Sequence, residues 1–127
     1  MLSAQFKTSR IEVRNNNRVY IIPEADDIYN AQDFIELLTI INNLVEEERY
    51  TILMKLDEIQ VILTKDARNL FNSDFELKKR IIAEAVVIKS TSSMILYNLI
   101  LMVSPPSFPF KAFKDEGKAN DWLDRQN

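Results

Sequence analysis

Apolar and polar positions recur with different periods along this chain, and the periods mark its elements. Ile11 to Arg14 and Val19 to Ile22 are rich in β-branched and aromatic residues and flank Asn15-Asn16-Asn17. Asparagine tolerates a left-handed backbone at low cost, so this stretch predicts a β-hairpin that needs no glycine. Pro23 closes the second strand and a polar loop runs from Glu24 to Tyr29. Asn30 is placed to cap a helix, with Asp33 in the first turn, where negative charge suits the helix dipole. Phe34, Leu37, Leu38, Ile41, Leu44 and Val45 then share one stripe opposite Glu36, Asn43 and Glu47. That spacing predicts a one-sided amphipathic helix of about four turns.

Tyr50 to Leu56 reads as a strand and Asp57 to Leu63 as a loop. Thr64 is placed as the N-cap of a second helix, with Asp66 in its first turn and Ala67, Leu70 and Phe71 facing inward; this helix ends between Asn72 and Lys79. Ile81 to Ile88 is almost continuously apolar, as expected of a strand covered on both faces. Ser90 caps a third helix that reaches about Val103, where Pro105, Pro106 and Pro109 prevent its continuation. Phe110 to Phe113 makes a last short strand, and Asp115 to Arg125 a final helix that inserts Trp122 and Leu123. After the hairpin, strands alternate with helices. The prediction is an α/β fold: a mixed, mostly parallel sheet with right-handed crossovers and about four covering helices. The 127 residues contain no repeat and no linker, so a single domain over 1–127 is expected, with its core at about 10–125.

Composition narrows the chemistry. With no histidine and no cysteine, Ser-His-Asp and Cys-His catalysis, zinc sites of the usual kinds and haem or iron–sulfur ligation are excluded. With Gly117 as the single glycine, neither a P-loop nor a dinucleotide-binding turn can be written. No cofactor and no metal are expected. Sixteen basic and nineteen acidic residues give a net charge of −3, and no basic stripe of the kind that binds nucleic acid is present. The densest cationic cluster, Lys78-Lys79-Arg80, reads as a solvated helix end. Met1 to Arg10 has no apolar core of a secretory signal, and the longest apolar run, Met94 to Val103, is half the roughly 20 residues needed to span a bilayer. A cytoplasmic protein without an integral membrane segment is expected.

The second half of the chain carries a family resemblance. LTKDARNLF (Leu63 to Phe71), AVVIKS (Ala85 to Ser90), the apolar helix and PPSFPFKAFKDEGKANDWL (Pro105 to Leu123), in that order, resemble the small bacterial SpoIIAA-like proteins, which are akin to STAS and CRAL-TRIO domains. The resemblance covers Ile11 to Leu123, and its most specific part is the proline-rich turn, the Phe113-Lys114-Asp115-Glu116 helix start and Trp122-Leu123. Thr91 stands where relatives favour proline, and Gly117 interrupts an acidic turn at a cost of about 1 kcal/mol relative to alanine. The resemblance implies a STAS-like domain that binds proteins or small ligands without catalysis. It does not carry over the phosphorylatable Asp-Ser-[Ser/Thr]-Gly motif, because Leu63-Thr64-Lys65-Asp66 occupies that place. Thr64 is expected to cap its helix through its hydroxyl, with phosphate acceptance the alternative.

Three places could carry function. Asp57 and Glu58 follow a strand at its carboxyl end, where ligands of open α/β sheets bind, and with Thr64 they form a candidate polar site. Glu84 interrupts an apolar strand; the expectation is a position near the sheet end with the carboxylate at the rim, and a covered position would need Lys55 or Arg80 as partner. The third helix is apolar nearly all round. If Ile95, Leu99 and Met102 cover the sheet, then Met94, Tyr97, Leu101 and Ser104 need another partner, and Phe108 and Phe110 extend the patch. That partner could be a further helix of the same chain, a second copy in a homodimer, or an apolar small molecule such as a lipid. The function expected is protein–protein association by a non-catalytic, dimeric regulatory module. A CRAL-TRIO-like apolar-ligand carrier is the alternative, and a carboxylate-dependent enzyme comes third.

Overall fold

The computed structural model describes residues 2–15, 17–103 and 106–127, and the side chains of these except at 96 and 99–103. Three antiparallel strands open it: β1 (Leu2–Phe6), β2 (Ser9–Arg14) and β3 (Arg18–Pro23). Asn15, between β2 and β3, has φ 52°, the left-handed conformation expected of an asparagine turn. A short strand, β4 (Asp27–Tyr29), leads to α1 (Ala31–Leu44). Asn30 and Asp33 cap that helix reciprocally: the Asn30 Oδ1 accepts from the Asp33 N–H at 2.9 Å, and the Asp33 carboxylate accepts from the Asn30 N–H at 3.0 Å.

There follow β5 (Tyr50–Asp57), β6 (Val61–Leu63), α2 (Lys65–Asn72), a single 3₁₀ turn at Glu76–Lys78, β7 (Ile81–Ile88), α3 (Thr91–Val103), β8 (Phe110–Phe113) and α4 (Glu116–Gln126). The main sheet has the order β1-β2-β3-β5-β7-β8, and β3, β5, β7 and β8 run parallel. This is the mixed, mostly parallel α/β architecture that the sequence predicts.

The order has a simple consequence. From β3 each parallel strand is added on the same side, so right-handed crossovers place α1, α2 and α3 on one face of the sheet. Side chains of all three helices meet the larger core there, around Ile11, Val19, Ile41, Tyr50, Ile52 and Val86. Among the described residues, only α4, after the last strand, reaches the other face. It packs on β5, β7 and β8 through Ala119 and Leu123 against Leu53, Ala83, Ala85 and Val87. The alanines keep that contact close, and Arg18 fixes it. Its guanidinium donates to Thr51 Oγ1 (2.7 Å), Asn120 Oδ1 (2.5 Å) and Asp124 Oδ1 (2.8 Å). Asp115 caps α4 by accepting the Gly117 N–H at 2.7 Å, and a Cβ on Gly117 would stand 3.1 Å from that oxygen. The glycine thus leaves room for the cap.

Two expectations are corrected here, and one strand is new. Residues 2–6 are a strand, whose Phe6 packs edge-on against Tyr29 at 5.6 Å. The stretches read as loops contain β4 and β6, which pair in parallel as a separate two-stranded sheet. The Lys78-Lys79-Arg80 cluster is no solvated helix end. Lys78 is buried, and the Arg80 guanidinium donates to the carbonyls of Asn42 (2.7 Å), Val45 (2.9 Å), Glu47 (2.6 Å) and Glu48 (2.9 Å), at and beyond the end of α1. Among the described residues, no helix is long and apolar enough to cross a membrane.

Candidate functional site

The α3 helix begins where Ser90 accepts the Ser93 N–H on its hydroxyl at 3.4 Å and the Met94 N–H on its carbonyl at 3.0 Å. Its orientation reverses the expected one. Met94 and Tyr97 are half-buried against the larger core, while Ile95 points outward and is 57% exposed. Burial, with Glu84 nearby, pushes the Tyr97 phenol up to about 12. The side chains of Leu99, Leu101 and Met102, together with Ser104, lie outside the described residues. Phe108 and Phe110 do not extend a surface patch as expected. Both meet Phe71 edge-on, at 5.8 and 5.6 Å, and Phe71 meets Phe34 at 6.1 Å, so these rings fill the interior.

Glu84 departs most from expectation. It lies within β7, opposite Ile52 of β5 and Phe110 of β8, on the face covered by α1, α2 and α3. It is 9% exposed, and burial pushes its carboxyl up to about 8. Neither suggested partner serves it. Lys55 pairs with Glu116 at 3.2 Å, and Arg80 is committed to carbonyls.

The strand-end candidates separate. Asp57 ends β5 with φ 55°, a left-handed conformation that aspartate, like asparagine, tolerates better than most residues, and its Oδ1 is buried without a hydrogen-bond partner among the described residues. It lines a cleft of about 210 Å³ with Arg10, Arg14, Tyr20, Lys55 and Glu116. Most charges in this cleft already answer one another. Glu12 takes Arg10 at 2.7 Å and Arg14 at 2.8 Å, and Glu116 takes Lys55. Glu58 is exposed and is not part of the lining.

Thr64 starts α2 on the opposite side of the sheet. It does not cap through its hydroxyl, which instead donates to the Asp66 carboxylate. That hydroxyl and backbone N–H donors hold Asp66 below the usual carboxylate range. The structure thus brings neither Glu58 nor Thr64 to Asp57. Asp57→Asn, which accepts the same backbone and removes the charge, is expected to raise stability slightly, by less than about 1 kcal/mol. A clear loss on urea denaturation would show that the carboxylate is paired in solution.

Sequence reasoning missed a second cleft, of about 280 Å³, at the amino ends of β7 and β8. Its lining includes Arg49, Lys78, Phe75, Ile82 and Phe108. The available signal was the set of apolar neighbours at Phe75, Leu77 and Ile81, which bracket Lys78 and leave a lysine there little access to water. Among the described residues, no group of three or more His, Cys, Asp or Glu side chains could hold a metal ion.

No curated protein matches this chain. Among solved structures it is similar to an uncharacterised protein of the DUF3478 family, with a SpoIIAA-like fold, from Shewanella loihica PV-4. The TM-score is 0.59 at 15% identity, over 91% of each chain. At that identity the likeness shows the fold, which is SpoIIAA-like. Residues 11–127 match the family described as "Domain of unknown function (DUF7793)", and the chain belongs to that family.

Proposed function

We propose that this domain is a non-catalytic binding module that self-associates through α3 as a homodimer. The observation that carries the proposal is the outward Ile95, 57% exposed on a helix with no charged residue from Thr91 to Val103. A two-fold dimer pairs one patch with its own copy, and only groups near the axis meet themselves, so a patch without charges brings no like charges together there. On a chain of net charge −3, a neutral 13-residue helix is where two copies can approach without repulsion. A cytoplasmic location belongs to the same proposal.

Light scattering on a size-exclusion column is expected to give twice the chain mass. Ile95→Glu, which sets like charges against each other, should weaken the dimer at least about tenfold while leaving circular dichroism unchanged. A wild-type monomer at roughly 100 μM would refute self-association. Extra mass retained in native spectrometry of such a monomer would favour the apolar-ligand reading instead.

A further inference from the structure

We propose that the cleft at the amino ends of β7 and β8 is a binding site for a small organic anion, a carboxylate on an apolar body. The inference is independent of self-association through α3. Lys78 is the central group. It ends the 3₁₀ turn and is 97% buried, with its ammonium 5.9 Å from the ring centres of both Phe71 and Phe108. The ammonium donates to the Phe71 carbonyl and, at 3.4 Å, to Ser107 Oγ.

Among the described residues no carboxylate forms an ion pair with Lys78, and none pairs with Arg49 on the same cleft. A buried charge without a counter-charge is unfavourable, and burial lowers the pKa of Lys78 accordingly. Asp74 also lines the cleft and attracts Lys78 without pairing, while Lys79 is held by Glu76 at 2.8 Å.

An anion entering this cleft would give Lys78 its missing counter-charge and Arg49 a carboxylate to grip. Both contacts would be charge-assisted, and an Arg fork suits a planar carboxylate. The remaining wall is apolar: Phe75, Ile82, Phe108 and Pro109. It would receive the body of the ligand. At about 280 Å³ the cleft is just smaller than the roughly 300–1,000 Å³ usual for ligand sites. A single ring or a short chain suits it better than a nucleotide.

Benzoate can be titrated into the full chain and followed by amide NMR shifts, with benzylamine as the control of opposite charge. Benzoate should give saturable shifts at Phe75, Ile82 and Ser107, and benzylamine none there. Arg49→Gln, an exposed change, should weaken benzoate about fivefold, and Lys78→Met, which keeps the apolar stem, about tenfold or more. Equal binding of benzylamine would mean that the cleft only partitions apolar rings, and would overturn the proposal. So would the absence of saturation by ~20 mM benzoate, or full affinity in Arg49→Gln, which remains informative if Lys78→Met fails to fold.

Discussion

Urea denaturation between pH 4.5 and 8 is expected to show stability falling as the pH rises, and Glu84→Gln to remove that slope. The sign follows from the direction of the shift. Glu84 has an ordinary carboxyl pKa of 4.5 when unfolded, and burial pushes it up to about 8 in the fold. Between those values the folded state holds a proton that the unfolded state has released, so each rise in pH favours unfolding. The stabilisation is fully present below 4.5 and is lost as the pH passes through about 8.

Each unit of displacement corresponds to about 1.4 kcal/mol, so the loss is on the order of 3–5 kcal/mol, a large part of a small domain's stability. The window is unusually clean. With no histidine in the chain, the side chain that ordinarily titrates near neutrality is missing, and Lys78, whose pKa burial lowers, acts in the opposite sense to Glu84. Carboxylates held low, such as Glu12 and Asp27, act in the opposite sense and below this range. Glu84→Gln should therefore be more stable than wild type at pH 8 and nearly level across the series. An unchanged slope in the variant would assign the effect to another group.

Why Glu84 lies inside a strand was not legible in the sequence, although the strand itself was. Ile81 to Ile88 announces a strand covered on both faces, but one acid in such a run gives no depth. Depth depends on where β8 and α3 are laid down. The helices were legible for the same reason as the strand: their apolar spacing and caps are local. The Asn30–Asp33 capping box could be read residue by residue.

Short elements were not. Leu2, Ala4 and Phe6 alternate with Ser3 and Gln5, yet five residues carry too little periodicity to separate a strand from a tail. β4 and β6 have three residues each and exist only because they pair with one another across the chain. The α3 surface was half legible. Its apolar excess could be seen, but two apolar faces give no sign of which one meets the sheet. The structure turns Met94 and Tyr97 inward and Ile95 outward. The polar candidates failed on distance in space: Asp57, Glu58 and Thr64 are near in sequence, but the chain crosses from one side of the sheet to the other between them.

Arg80→Ala is expected to destabilise the domain by about 3 kcal/mol, more than a surface charge usually contributes. α1 ends at Leu44 without a basic residue in its last turn, so its final carbonyls lack the cation that normally suits them. Arg80, distant in sequence, supplies it. One guanidinium reaches the carbonyls of Asn42, Val45, Glu47 and Glu48, and lies 5.5 Å from the centre of the Tyr50 ring. The Tyr50 N–H in turn donates to the Arg80 carbonyl at 3.0 Å, so the same residue aligns the start of β5 with the entry to β7.

Removing the side chain takes the donor from the part-buried carbonyls of Asn42 and Val45 and from the exposed ones of Glu47 and Glu48, and it frees the segment from Val45 to Arg49. Arg80→Lys should recover only a small part of the loss. An ammonium has the charge but not the planar fork that spans carbonyls on two sides. Equilibrium urea denaturation of the three proteins gives the comparison. If lysine restored nearly full stability, charge at the end of α1 would be the whole effect. If alanine cost less than about 1 kcal/mol, water would already be satisfying those carbonyls.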